Sequence, residues 1–334
     1  MTRNSKILVF IGAAYLIGLM VASFGYSHFI EPKLAKPEKL LIDDDGSLIA
    51  MAPFPPSMAY PLGSDIDGNS YLTKIIEGAK YTIGLSVIIA LGRVLLSLLG
   101  GYLLFLLPTS MKRTFKGLSD ALHYAPVTVF TYILITPVIL TFSWSYDLTT
   151  KIVFPCLVII AVSVPVLSLY VQEEIDLASN NEFIDNARTM GASRFHIFKK
   201  HIVPFLTPKV VVTFVQQMGQ TLIIFAHLGL LNVFIGGSDT RVMEYDIETG
   251  DAITETFTMS NEWAGMISDN FQYIRSFPWM VLAPVTAFAL TILAINFIAY
   301  GLKANRKPKR VNVPQEKLKT TSMSLDKEKF RMVK

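Results

Sequence analysis

The sequence predicts an all-α, polytopic membrane protein with six transmembrane helices and one sizeable cytoplasmic loop. Three observations carry this. Of 334 residues, 51% are hydrophobic and 17% charged, against roughly 25% charged in an average soluble domain. Several apolar runs of about 20 residues are too many to enclose in a globule of this size, and they match the hydrocarbon layer instead. Lysine and arginine also concentrate in particular loops, the pattern left by their retention on the cytoplasmic side. The formal charge of +4 therefore reflects membrane orientation, and no nucleic-acid partner is expected. Cys156 is the only cysteine, which excludes an intramolecular disulfide and a cysteine metal cluster.

The apolar spans are Ile7 to Phe29, Tyr81 to Leu107, Leu118 to Phe142, Ile152 to Val171, Val210 to Ile235 and Pro278 to Leu302. Each can cross a layer of ~30 Å, and helix is the default because an unclosed strand leaves backbone groups unpaired in lipid. Residues 1–30 read as an N-terminal transmembrane anchor. Arg3 and Lys6 precede it as in a secretory signal, but the apolar stretch is long for one and Val21-Ala22-Ser23 is a poor cleavage site. Residues 31–79 form an external segment, 80–302 the transmembrane core with an internal loop at 172–208 and an external loop at 236–277, and 303–334 a basic tail.

Charge sets the orientation. Lys112, Arg113 and Lys116 follow the second span, and the tail from Lys303 to Lys334 is rich in lysine and arginine; both belong inside. Asp43-Asp44-Asp45, Asp65 and Asp67, and the acidic stretch from Asp239 to Asp269, belong outside. Both termini are then cytoplasmic, the number of crossings is even, and six satisfies every loop.

The internal loop, Gln172 to Pro208, reads as two short helices with a hinge. Ser179 is placed to cap the first, with Glu182 completing a capping box. Phe183, Ala187 and Met190 recur at helical spacing. Gly191 ends that helix, because glycine enters the left-handed conformation without a Cβ clash. Ser193 restarts a second helix, on which Phe195, Phe198 and Ile202 share a face before Pro204 ends it.

Asp185-Asn186-Ala187, Gly191, His201, Val203 and Pro204 keep the spacing of a known signature: Glu-Ala-Ala, three residues, Gly, nine residues, an apolar position, one residue, Leu, Pro. In this the sequence resembles the permease subunits of binding-protein-dependent ABC importers, with Glu replaced by Asp185, the first Ala by Asn186 and Leu by Val203. Two further stretches look like the oligopeptide, dipeptide and nickel branch of that family. One is Pro61-Leu62-Gly63-Ser64-Asp65 with Gly68, Gly78 and Ala79; the other is Trp263, Gly265-Met266-Ile267, Pro278-Trp279, Pro284, Asn296 and Gly301. Gly68-Asn69-Ser70 stands where the branch usually has Gly-Arg-Asp, and Tyr300 where an Asp is common.

The resemblance implies that 172–208 is a coupling-helix loop that docks on a cytoplasmic ATPase. Glu182, Phe183, Asp185, Ala187, Arg188, Gly191, Ala192, Phe195 and Pro204 are its expected coupling residues. It also implies a second homologous permease subunit, two cytoplasmic ABC ATPase subunits, an extracytoplasmic substrate-binding protein and residence in a prokaryotic cell membrane. This chain would bind no cofactor of its own, ATP and Mg being used by the ATPases.

Arg93 lies mid-span, where an unpaired arginine costs about 2.5–3.5 kcal/mol, so it must face protein or water. It is either a cavity cation for a passing carboxylate or an interhelical tie. Gln216 and Gln220, four apart with Thr213 beside them, share a helix face; they and Asn296 are candidates for lining a pathway, and equally for bonding helices together. His227 carries the same two readings, and Pro126, Pro137, Pro155 and Pro165 are expected to kink spans three and four. In the external loop, Arg241 to Ile247 and Ala252 to Phe257 flank Glu248-Thr249-Gly250-Asp251 and read as a hairpin placed to touch the binding protein.

No Gly is followed by Lys, so no P-loop is present, and neither H-E-x-x-H nor G-x-S-x-G occurs. The expected function is that of a non-enzymatic permease subunit for short peptides, with nickel or another small solute as the alternative cargo. An ion-coupled secondary transporter needs buried acidic residues near the midplane; Asp120 and Asp147 fall near span ends. A membrane enzyme needs a catalytic cluster that the sequence does not offer.

Overall fold

The computed structural model describes residues 3–30, 39–42, 48–124, 126–141, 145–235, 237–245 and 252–304. The acidic run Asp43-Asp44-Asp45, the hairpin turn Glu248-Thr249-Gly250-Asp251 and the tail beyond Ala304 lie outside the described residues. The chain begins with α1 (Arg3–Gly25), a π-helical turn Tyr26–Ile30 and a short antiparallel pair, β1 (Leu40–Ile42) and β2 (Leu48–Met51). Then follow α2 (Tyr71–Leu106), α3 (Thr109–Tyr124), α4 (Val127–Thr136), α5 (Leu148–Ser179), α6 (Glu182–Thr189) and α7 (Arg194–Ile197). A π-helical turn, Phe198–Ile202, leads into α8 (Val203–Leu230). The hairpin β3 (Ser238–Tyr245) and β4 (Ala252–Thr258), α9 (Trp263–Asn270) and α10 (Trp279–Ala304) complete it.

Among the described residues, five helices are long and apolar enough to cross a membrane: Arg3–Ile30, Tyr71–Leu106, Leu148–Ser179, Phe195–Leu230 and Trp279–Ala304. The sixth expected span, Leu118 to Phe142, is divided. Its first residues belong to α3, which also carries Lys112, Arg113 and Lys116, so the expected short loop there is a helix. Pro126 has no N–H to continue that helix and instead stands at the N-cap of α4. The apolar remainder, Val127–Leu140, is a shorter helix, with Pro137 opening its π-helical end. Pro155 and Pro165 lie inside α5 without breaking it.

Helix α5 also runs past the expected span end at Val171 to Ser179. Its last turns therefore form a rigid extension of the span, and the true elbow is confined to residues 180–202.

The bundle is built on α2, which packs chiefly on α5 and also on α1 and α8, while α1 lies along α10. Close approach is permitted by small residues, the usual device where lipid removes the hydrophobic drive between helices. Gly101 of α2 sits against Val171, and Gly12 of α1 against the Ala294 carbonyl of α10. At the end opposite the elbow, the two stretches bounding the core close on each other. Trp263 is fully buried, donates through Nε1 to the Ile75 carbonyl at 2.9 Å, and its N–H donates to Thr82 Oγ1 at 3.1 Å. Trp279 covers Gly63, and Gly78 lies against the Asn261 carbonyl, where a Cβ would collide. Asp65, buried, accepts from the Asp67 and Asn69 backbones and pairs with Lys74, fixing the turn that leads into α2.

Glu262 caps α9 by accepting from Gly265 N–H at 2.7 Å and Ala264 N–H at 3.0 Å. Burial pushes its carboxyl up to about 8, against the two N–H bonds that favour the charged form. The folded chain thus holds this proton up to about pH 8 whereas the unfolded chain releases it near 4.5, so stability falls as pH rises between these values. Thermal unfolding of the purified protein in detergent should show this decline, and Glu262→Gln should flatten it; an equally steep decline in the variant assigns the effect elsewhere.

Candidate functional site

Two places on the bundle bring together the residues with functional potential. The first is the elbow. Helix α6 ends in a Schellman arrangement: Ala192 N–H donates to the Ala187 carbonyl at 3.0 Å and Gly191 N–H to the Arg188 carbonyl at 2.9 Å. Gly191 has φ +82°, the left-handed conformation expected of it. Ser193 Oγ accepts from His196 N–H at 3.3 Å as α7 begins. The expected capping box does not form, because Ser179 is the last residue of α5; Asn181 is the N-cap of α6, and its Nδ2 donates to the Leu177 and Ala178 carbonyls. Pro204 does not end the second helix. It lies in the first turn of α8, where a missing N–H costs nothing, and the chain runs on as a helix.

The elbow is fastened from inside. Ile184, Ala187, Ile197 and Ile202 are buried with Val171, Ile175 and Ala178 of α5 and Leu206 of α8, and Leu98, Tyr102 and Phe105 of α2 pack against them. Tyr102 and Phe198 rings lie 4.4 Å apart. The expected apolar stripes are thus split: Ala187 and Ile202 turn inward, with Ile184 in the place expected of Phe183. Phe183, Met190 and Phe195 turn outward, 44%, 82% and 69% exposed. Glu182, Asp185 and Arg188 are also exposed, Asp185 pairing with Arg188 at 3.2 Å. Beside the elbow, acidic residues of the α5 extension tie neighbouring elements: Glu173 to Lys116 at 3.1 Å, Asp176 to Lys112 at 3.7 Å, and Glu174 to Lys209 of α8.

The second place is a groove of about 550 Å³ between α4, α5 and α8, lined by Val127, Ser163, Tyr170, Gln217 and Gln220 among others. Among the described residues, no Asp, Glu, Lys or Arg lines it. Gln216, Gln220 and Asn296 are all exposed on α8 and α10, and of these three Gln220 is among the groove's lining residues. Arg93 does not line it either. It is 1% exposed, and its Nε and Nη2 donate to the Ile159 carbonyl of α5 at 3.4 and 3.3 Å while Nη1 donates to Gln217 Oε1 of α8 at 3.2 Å. His227 Nδ1 is 3.2 Å from Thr128 Oγ1, joining α8 to α4. Sequence reasoning missed Gln217, although its spacing of three from Gln220 placed it on the same side of α8.

Residues 94–311, which include the elbow, Arg93's immediate neighbour and the groove, match the family described as binding-protein-dependent transport system inner membrane component. The chain belongs to this family. It is a multi-pass membrane subunit of a transport system. Among its relatives, a dipeptide transport system permease of Alkalihalophilus pseudofirmus is 24% identical over 76% of this chain and 73% of its own length. A probable D,D-dipeptide transport system permease of Escherichia coli is 24% identical over 89% and 86%. A glutathione transport system permease of Shigella dysenteriae is 28% identical over 46% and 44%. An inward-facing methionine ABC transporter chain overlays 71% of this chain and 98% of its own with a TM-score of 0.46 and 15% identity.

Removing the arginine strips three donors from the junction of α2, α5 and α8. Arg93→Leu is therefore expected to lower thermal stability in detergent by about 1–3 kcal/mol, and Arg93→Lys by less, because an ammonium keeps some of the donors. A Leu variant as stable as the parent would show that the junction is held by apolar contacts alone.

Proposed function

We propose that this chain is one of two related permease subunits of an ATP-driven importer that carries short peptides delivered by an extracytoplasmic binding protein. The observation that carries the reading is the elbow: Phe183, Met190 and Phe195 project from a loop otherwise built to be wet, while Ile184, Ala187 and Ile197 fasten it to the spans. Large apolar side chains presented together on a polar element mark a protein contact. Its occupant is the groove of a cytoplasmic ATPase, two copies of which bind ATP and Mg; both termini then face the cytoplasm. Coupling residues on this reading are Glu182, Phe183, Asp185, Ala187, Arg188, Gly191, Ala192, Phe195 and Pro204. The peptide cargo is supported by the relatives, named for dipeptide and glutathione transport, and by the mainly apolar groove, whose amides and hydroxyls suit solutes whose common feature is a peptide group.

Closure of the ATPases on ATP moves the elbow, and α5 and α8 carry that motion to the groove. Two discrete arrangements with different affinities for ATP-bound and free ATPase are required, since docking equally well to both shifts nothing. On this reading the hairpin β3–β4, whose β4 packs against α9, meets the binding protein.

Labelled di- and oligopeptide uptake should vanish in cells lacking this subunit and return with it; undiminished uptake without it contradicts the peptide cargo. In the assembled transporter, Gly191→Val forces a β-branched residue to φ +82°, a strain of about 1–3 kcal/mol. The variant should hydrolyse ATP while losing uptake, and normal coupling in it argues against the elbow as the transmitting element.

A further inference from the structure

The buried Arg93 and the groove-lining Gln217 meet in one hydrogen bond whose direction is fixed by chemistry. A guanidinium carries only donors, so the atom of Gln217 that faces Arg93 is its oxygen, Oε1, at 3.2 Å. The amide plane is thereby set. Its Nε2 is the remaining polar end, and the bond to Arg93 is the one this side chain makes among the described residues. Gln217 lines the groove. Arg93 itself cannot turn toward it, because Nε and Nη2 are held on the Ile159 carbonyl.

We propose that Gln217 is a solute-contacting donor in the groove, aimed by Arg93, and that it takes an oxygen acceptor of the passing peptide, a backbone carbonyl or the terminal carboxylate. This rests on the peptide-importer reading given above and assigns a binding subsite within it. Gln220, three residues on, lines the same groove and presents both a donor and an acceptor, the pair that a peptide group complements. Placing the cation one layer behind the amide has a physical advantage. A bare guanidinium in a low-dielectric groove would grip a carboxylate bidentately and hold it, whereas conduction needs sites that bind weakly enough to release. Through Gln217 the positive charge polarises a neutral donor without being exposed. Arg93 is thus a positioning residue, and the groove accepts peptides without selecting for their side-chain charge.

The decisive variant is Gln217→Glu. A carboxylate keeps the bond to Arg93 and even strengthens it, so a purely structural junction predicts normal uptake. The donor, however, becomes an acceptor. Dialanine uptake by cells containing the complete transporter should then fall about tenfold in maximal rate, the worth of one hydrogen bond, while the half-saturating concentration set by the binding protein stays unchanged. Arg93→Lys should show the same split. Normal maximal rate in an assembled Gln217→Glu transporter overturns the proposal. A parent transporter that takes up no dialanine overturns the peptide reading instead, and a thiol arm then decides the subsite independently of cargo, as it also does if Gln217→Glu fails to assemble. In a Cys156→Ser background, Gln217→Cys in the complex should react with a water-soluble maleimide while the fully buried Thr221→Cys does not. An unreactive Gln217→Cys overturns the subsite.

Discussion

A single buried cation holds the centre of this bundle together. Arg93 reaches from α2 to the Ile159 carbonyl of α5 and the Gln217 amide of α8, so three helices share one set of charge-assisted bonds. In lipid such a group cannot be left unpaired, and the alternatives to pairing are a water defect or displacement of the helix. The three helices are therefore fixed in register at the depth where α5 and α8 also form the groove. The buried arginine serves alignment rather than display, and the groove is left lined by amides, hydroxyls and apolar side chains.

From this junction the same helices run to the elbow. Helix α5 extends rigidly beyond the bilayer-length apolar run, and its Glu173, Glu174 and Asp176 tie α3 and α8 beside it. The exposed Glu173–Lys116 pair contributes little stability by itself, and the apolar cluster of Val171, Ile175, Ile184, Ile197 and Leu206 provides the stiffness. A force applied to Met190 or Phe195 acts on a body continuous with α5 and α8. It need not pass through a flexible loop.

The glycines and tryptophans that flank the core act at the end opposite the elbow: Gly63 under Trp279, and Gly78 against the segment that carries Asn261 and Trp263. They close the bundle around the entry to α2 and α10. Their spacing is thus a requirement of steric fit between segments far apart in sequence, which explains why they could be recognised before any contact was known.

Hydrophobic length and the placement of lysine and arginine were enough to give five of the spans, because the cost of polar groups in lipid acts on each segment separately. Local backbone chemistry likewise fixed the Gly191 hinge, whose left-handed φ needs no distant partner. Other features depended on neighbours. Ser179 looked like a cap until α5 was seen to continue through it, Pro204 looked like a stop until α8 used it as a start, and the span expected from Leu118 was divided at Pro126. Which of Phe183 and Ile184 turns inward, and that Gln217 rather than Gln216 meets Arg93, were decided only when α2, α5 and α8 came together. Periodicity names the faces of a helix, but only a packed neighbour determines which face is buried.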